Sequence, residues 1–403
     1  MADPGRTAVI TGGARTPIGR FMGGLAPLSA PQLGAVAIRS VLEKSGIDPS
    51  DIDDVILGNV IAAGAGQAPG RQAALAGGVP DTVGAMTVSR VCGSGLQAVM
   101  LAAQAIRAGD ARVIVAGGME SMSNVPYYLT GYRDGVKFGN RELVDGLIHD
   151  GLWCAFDECH MGGHAEYTAW KAGITREDAD AFALESHRRA IAAIDGGCFR
   201  EEIAPVSIEG RKGTTVVDTD EPPRRDSSAE AMAKLKPAFV KDAPSEVTNP
   251  VVTAGNAPGL NDGAAALVVT SEEYAKAHGL NILARVSAYA NGAVAPRELF
   301  FAPVRAVRKV MEKEGKQIDD YDLFEVNEAF AVQALADGRE LGMDWSRVNV
   351  NGGAVALGHP IGASGSRILV TLLHAMKQRD AGSGIATLCL GGGDAVALSV
   401  ERV

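Results

Sequence analysis

Aromatic residues are scarce in this 403-residue chain, at 5%, and no run of about 18 apolar residues interrupts it. The first scarcity points away from large aromatic-lined cavities. The second excludes a membrane-spanning helix. Positive charge is also short: 38 Lys and Arg stand against 48 Asp and Glu, for a formal net charge of -10. A surface of that sign does not favour nucleic acid or an anionic membrane, although a local basic pocket for a phosphorylated ligand stays open. Only five cysteines occur, an odd number at irregular spacing, which fits reduced intracellular thiols rather than a disulfide framework. Met1-Ala-Asp-Pro-Gly-Arg6 is not a secretory leader and Val400-Glu-Arg-Val403 is not a peroxisomal tripeptide, so a cytoplasmic location is expected.

What the chain has in excess is glycine, at 50 residues, within an otherwise ordinary globular composition of 46% hydrophobic and 21% charged residues. Many tight turns and close backbone contacts follow. The length suits two or three packed units. Short β-branched runs alternate with Ala/Leu-rich amphipathic stretches, the pattern of an α/β fold. Strands are expected at 8–11, 54–60, 85–91, 112–116, 264–270, 282–289, 321–326, 347–350, 384–390 and 395–400. Helices are expected at 30–45, 96–108, 176–194, 304–314, 329–341 and 363–379, with Gly46 and Gly109 as stop signals.

Parts of the chain repeat. Ile52-Asp-Asp-Val-Ile-Leu-Gly-Asn59 resembles Ile318-Asp-Asp-Tyr-Asp-Leu-Phe-Glu-Val-Asn327, and Cys92-Gly-Ser-Gly95 resembles Gly362-Ala-Ser-Gly365. Two related halves are expected, 1–125 with 248–272 and then 273–403. Between them, 126–247 is more polar, holds one convincing long helix, and reads as an insertion that carries binding contacts.

Three residues stand out chemically. Cys92 follows a strand-like run and precedes Gly-Ser-Gly, which places its sulfur at a helix N-terminus, where partial positive charge favours thiolate. Cys389 precedes Gly391-Gly392-Gly393, whose N–H groups can approach an oxyanion. His359 lies in a glycine-rich loop and suits a base or hydrogen-bond donor. For each, the competing reading is a buried structural side chain. A pair of such thiols with an imidazole is equipment for acyl-thioester chemistry. Cys154, Cys159, His160 and His164 are clustered but lack pair-and-pair ligand spacing, so no metal is expected. Gly93-Ser-Gly95 lacks the third glycine of a dinucleotide site.

Taken together, Val91-Cys-Gly-Ser-Gly-Leu96, Val115-Ala-Gly-Gly-Met-Glu-Ser121, Asn327-Glu-Ala-Phe330, Asn349-Val-Asn-Gly-Gly353, Gly358-His-Pro-Ile-Gly-Ala-Ser-Gly365 and Cys389-Leu-Gly-Gly-Gly393 resemble the motifs of thiolases, in order and nearly end to end from Ala14-Arg-Thr-Pro17. The resemblance implies a duplicated αβαβα layered fold with an inserted CoA-binding loop domain. It implies an acyl-CoA C-acyltransferase running a reversible Claisen condensation through an acyl-Cys. Cys92 would take the acyl group. His359 would activate it and help hold the thioester oxygen. Cys389 would move the α-proton, Asn327 would position a water, and the N–H groups of Cys92 and Gly391 would form an oxyanion hole. CoA contacts would come from Leu152, His160, Met161, Arg224, Phe239, Ala254, Ala257, Pro258 and Phe330. The substrates are acyl-CoA and CoA, with no further cofactor, and the assembly would be a homodimer or homotetramer.

Several positions depart from the family pattern. Pro258 stands for a common serine, and Asp394-Ala395 follows the glycine triplet. Asp157-Glu158-Cys159 precedes His160, and Phe300-Phe301 replaces small residues beside the acyl site. Inward-facing rings would restrict the pocket to acetyl and acetoacetyl groups, the favoured expectation, whereas outward-facing rings would leave an enlarged apolar pocket for longer or functionalised chains. A decarboxylating ketoacyl synthase is the nearest alternative, disfavoured by the second cysteine. A silent scaffold subunit is disfavoured by retention of Cys92, His359, Asn327 and Cys389 together.

Overall fold

A computed structural model describes residues 6–211 and 213–403. Most of the N-terminal segment read above (residues 1–5) lies outside the described residues. Ten strands form one mixed sheet: β1 Ala8–Arg15, β2 Gly19–Arg20, β3 Asp54–Gly58, β4 Gly84–Val88, β5 Val113–Ser121, β6 Asn261–Ser271, β7 Ala284–Ala293, β8 Leu323–Val326, β9 Ser383–Leu390 and β10 Asp394–Glu401. Their order is β8-β9-β10-β7-β1-β6-β5-β3-β4, with β2 paired to β6. The helices of eight residues or more are α1 Ala30–Ser45, α2 Pro69–Ala76, α3 Ser94–Ala108, α4 Met161–Ala172, α5 Arg176–Asp195, α6 Ala302–Glu314, α7 Ala331–Leu341 and α8 Ile361–Arg379.

The sheet is two copies of one plan joined at β1 and β7. From β1 outward, β6 is antiparallel, β5 antiparallel to β6, and β3 parallel to β5. From β7 outward, β10 and β9 are antiparallel in turn and β8 is parallel to β9. The join is narrow, with Val9 paired to Arg285 and Ile10 to Ala284. The sequence repeat is therefore a repeat of topology. The expected strand at 347–350 is an isolated bridge from Val348 to Phe324, standing where β4 pairs with β3 in the first half.

Burial explains the layers. One apolar cluster joins α3 and α8 to strands of both halves, through Leu96, Val99, Ile368, Leu372, Ile114 and Leu388. The outer face of the first half buries α1 and α2, and that of the second buries α6. Helices thus lie outside, between and outside again, giving the expected five layers. In the middle layer the backbones approach closely: a Cβ on Gly118 would sit 2.1 Å from the Gly362 carbonyl, and one on Gly365 would sit 2.4 Å from the Leu96 nitrogen. The excess of glycine serves this contact as well as turns.

The segment 126–247 is more helical than expected. It holds α4 as well as α5, because His160 caps α4 by accepting from the Gly162 N–H at 3.1 Å. The segment is pinned to the sheet by Arg15, whose fully buried guanidinium binds Glu202 at 2.6 Å and Asp220 at 2.7 and 2.9 Å. Hydrogen bonds at all three nitrogens make that buried charge tolerable.

Candidate active site

One cavity of about 460 Å³ opens between the two halves and the inserted segment. Cys92, His359, Cys389 and Gly391 all line it, so the structure brings together residues contributed by both repeats. Cys92 precedes α3, and Cys389 ends β9 ahead of the glycine turn into β10. His359 reaches the cavity from the loop before α8. Its backbone N–H is fixed by Asn261 Oδ1 at 2.8 Å.

The local hydrogen bonds decide the histidine tautomer. Ser364 Oγ donates to the Pro360 carbonyl at 2.9 Å, so its lone pair accepts from His359 Nδ1–H at 2.6 Å. Nε2 is then an unprotonated lone pair, buried and without a protein partner. Burial, aided by the charge of Arg367, pushes the imidazole down to about 3, so the ring is neutral. Asn327 lies beside it, Nδ2 3.5 Å from Nδ1, with a buried amide oxygen that no protein group engages.

The thiolate expected of Cys92 is not its resting form. Burial pushes the thiol up to about 12, and the N–H groups of Gly391 and Cys92 itself recover only part of that cost. The helix N-terminus does not outweigh desolvation here. Cys389 is likewise pushed well up, by burial and then by the neighbouring Cys92. Glu120 sits behind the site and orders it. Its carboxylate accepts from Asn59 Nδ2 and from the N–H groups of Val60, Ile61 and Gly362, which fixes the start of α8. Sequence reasoning passed over Glu120, although it stands in the Met119-Glu-Ser121 motif.

Residues 8–273 match the thiolase N-terminal domain and residues 280–402 the thiolase C-terminal domain. The chain belongs to the thiolase family. It is 56% identical over 395 residues to an acetyl-CoA acetyltransferase of Pseudomonas aeruginosa, covering 98% of this chain and 99% of that one. It is 53% identical over 395 residues to an acetyl-CoA acetyltransferase of Cupriavidus necator and 52% identical over 397 to a probable acetyl-CoA acetyltransferase of Escherichia coli. Both cover 98% of this chain and 99% of theirs.

Within this thiolase, Leu152, His160, Met161, Phe239, Ala257, Pro258 and Phe330 line the same cavity. His160 stacks on Phe239 with ring centroids 4.7 Å apart. Arg224 and Ala254 do not line it; both are exposed, and the Arg224 N–H donates to His187 Nδ1 at 3.2 Å. The two phenylalanines part ways. Phe300 is 2% exposed, lines the cavity and packs edge-on against Phe330. Phe301 does not line it and lies under the Lys171 ammonium. Residues that the sequence did not single out, Met122, Trp153 and Phe156 among them, complete the wall.

Asp394 also finds a reason. Its Oδ2 binds Arg90 Nη2 at 2.5 Å and Nε at 3.0 Å, while Arg90 Nη1 reaches Gln97 and Asn291. The clamp links the loop ahead of Cys92 to the turn after Cys389. Among the four residues weighed for a metal, His160 turns to its cap and Phe239. The structure instead gathers Cys154, Asp157 and His164.

Proposed function

We propose that the protein catalyses the reversible condensation of two acetyl-CoA molecules to acetoacetyl-CoA and CoA, through an acyl group held on Cys92. The observation that supports this reading is a shared cavity in which two neutral thiols flank a neutral imidazole with a free Nε2 lone pair. Cys92 gives its proton to His359 Nε2 as sulfur attacks the thioester carbonyl, and the N–H groups of Cys92 and Gly391 take the oxyanion. Cys389 then protonates the departing CoA sulfur. A thiolate on Cys389 and an imidazolium on His359 remain, each stabilised by the other.

That pair is the one the second half-reaction needs. Cys389 removes the α-proton of the second acetyl-CoA. The enolate oxygen is held by His359 Nε2–H and by a water on the free Asn327 amide oxygen. The enolate attacks the acyl-Cys92 carbonyl, and Cys92 leaves as a thiolate that recovers its proton from His359. Every proton is returned, and thiolysis is the same path reversed. Neutral resting thiols make sense in this scheme, since ionisation is confined to the moments when substrate excludes water.

Acyl-CoA and CoA bind through the cavity wall named above, and Phe300 restricts the acyl end to short chains. A cytoplasmic location is part of this reading. Its support is that, among the described residues, no helix is long and apolar enough to cross a membrane.

The test separates the two cysteines. Incubation with labelled acetyl-CoA, denaturation and peptide mapping places label on Cys92. Cys389→Ala still becomes labelled but loses condensation, thiolysis and α-proton exchange by more than about 100-fold. Label on another residue, or exchange retained in Cys389→Ala, rules the assignment out.

A further inference from the structure

The hairpin before α4 carries a group of donors that the reaction does not use. Sγ of Cys154, a carboxylate oxygen of Asp157 and a ring nitrogen of His164 all lie within 4.8 Å of one another. His164 Nε2 is 3.2 Å from Asp157 Oδ2, and Cys154 Sγ is 3.9 Å from the same oxygen. Cys154 and His164 are each 2% exposed, whereas Asp157 opens to solvent. The nearest acceptors to the His164 ring are Asp157 and the Pro296 carbonyl, neither at full hydrogen-bond geometry.

We propose that Cys154, Asp157 and His164 form a binding site for a thiophilic divalent cation of the zinc type, which fastens the 153–160 hairpin to α4. Charge supports this. One thiolate, one carboxylate and a neutral imidazole balance two positive charges. Geometry supports it too. With metal–ligand bonds of about 2.0–2.3 Å in a tetrahedron, donors stand roughly 3.3–3.8 Å apart, which the observed 3.2 and 3.9 Å bracket.

The supporting contacts have the right sense. The Asp157 N–H donates to Cys154 Sγ at 3.4 Å, which holds the sulfur in place beside the carboxylate. The Pro296 carbonyl faces the His164 ring, where it can orient the second nitrogen. Three protein donors leave a fourth position for water. On binding, the Cys154 thiol releases its proton to solvent, while Asp157 and His164 need no change. Because Trp153, Cys154, Ala155 and Phe156 line the acyl cavity, the cation would set the position of that wall without touching the reacting atoms.

The catalytic thiols also attract soft cations, so the test uses the full chain carrying Cys92→Ser and Cys389→Ser, kept reduced. Titration with Co²⁺ gives one ion per chain with a sulfur-to-cobalt charge-transfer band, and Zn²⁺ displaces it. Cys154→Ser in that background abolishes the band. Asp157→Ala weakens binding by more than about tenfold. Cys198→Ser leaves binding unchanged. Replacing the buried His164 risks the fold, so the exposed Asp157 is the decisive position. Zn²⁺ raises the melting temperature of the double-serine protein and not that of its Asp157→Ala derivative. Absence of the band, or equal affinity and equal thermal shift after Asp157→Ala, overturns the proposal.

Discussion

At the scale of single residues, the site rests on thiols that are hard to ionise. With Cys92 pushed up to about 12 and His359 down to about 3, the free enzyme holds a neutral pair and no thiolate–imidazolium couple. Alkylation of Cys92 by iodoacetamide should therefore rise about tenfold per pH unit between pH 7 and 10, as thiolate is formed by hydroxide. A rate already at its plateau at pH 7 would show an ion pair instead. Phe300 makes a second residue-level statement. Its ring, buried against Phe330, lines the cavity. In Phe300→Leu, the ratio of thiolysis efficiencies should move by about tenfold toward 3-ketohexanoyl-CoA over acetoacetyl-CoA, since pocket contacts are worth about 1–3 kcal/mol per methylene. Phe301→Thr should leave the ratio unchanged, because that ring packs against Lys171 outside the cavity. An unchanged ratio in Phe300→Leu would show that chain length is limited elsewhere.

At the scale of elements, the two cysteine loops are held in register by Arg90 and Asp394. Both side chains are about one-third exposed or less, at 27% and 30%, so the pair adds little to stability, on the order of 1 kcal/mol at most. Its value lies in position. Asp394→Ala should melt within a few degrees of wild type yet lose more than about tenfold in kcat, since small misplacements of reacting groups are expensive. Wild-type kcat in that variant would show that the loops need no clamp.

Elements were also the most legible level of the sequence. Every expected helix formed, because each carried a continuous amphipathic pattern. Strand ends drifted both ways: β5 and β6 run on through polar and Gly-containing residues 117–121 and 261–263, which have little β-propensity and are held by pairing with each other, whereas β3, β4 and β8 are shorter than expected. α4 was missed because its cap is a histidine, outside the usual N-cap residues. The thiols and the imidazole stood out from their glycine-rich settings, whereas Asn327 stood out only through the resemblance of its motif. Glu120, Trp153 and Phe156 were not, since only the three-dimensional meeting of loops gives them a role. The ionisation state of Cys92 was misread for a related reason: helix position is visible in sequence, but burial is not.

At the scale of the whole molecule, two surfaces remain unaccounted for within one chain. Among the described residues, strand β4 pairs only with β3 and ends the sheet, so its outer edge presents open backbone groups, and Met86 on it is 45% exposed. Exposed strand edges of this kind invite pairing with another chain. The second surface is the segment 127–143. Tyr127, Tyr132, Phe138 and Leu143 are 63%, 62%, 97% and 64% exposed, an unusual concentration of large apolar side chains on one excursion from the fold. An edge that joins two chains and an apolar arm that joins two pairs would together give a homotetramer. The arm can be altered without touching the cavity, because none of these four residues lines it. If the wild type sediments as a tetramer, Tyr132→Ser, Phe138→Asp and Leu143→Asp combined should convert it to a dimer in analytical ultracentrifugation, with the active site intact in each chain. A wild-type protein that sediments as a monomer, or a triple variant that stays tetrameric, would show that these side chains serve some other contact.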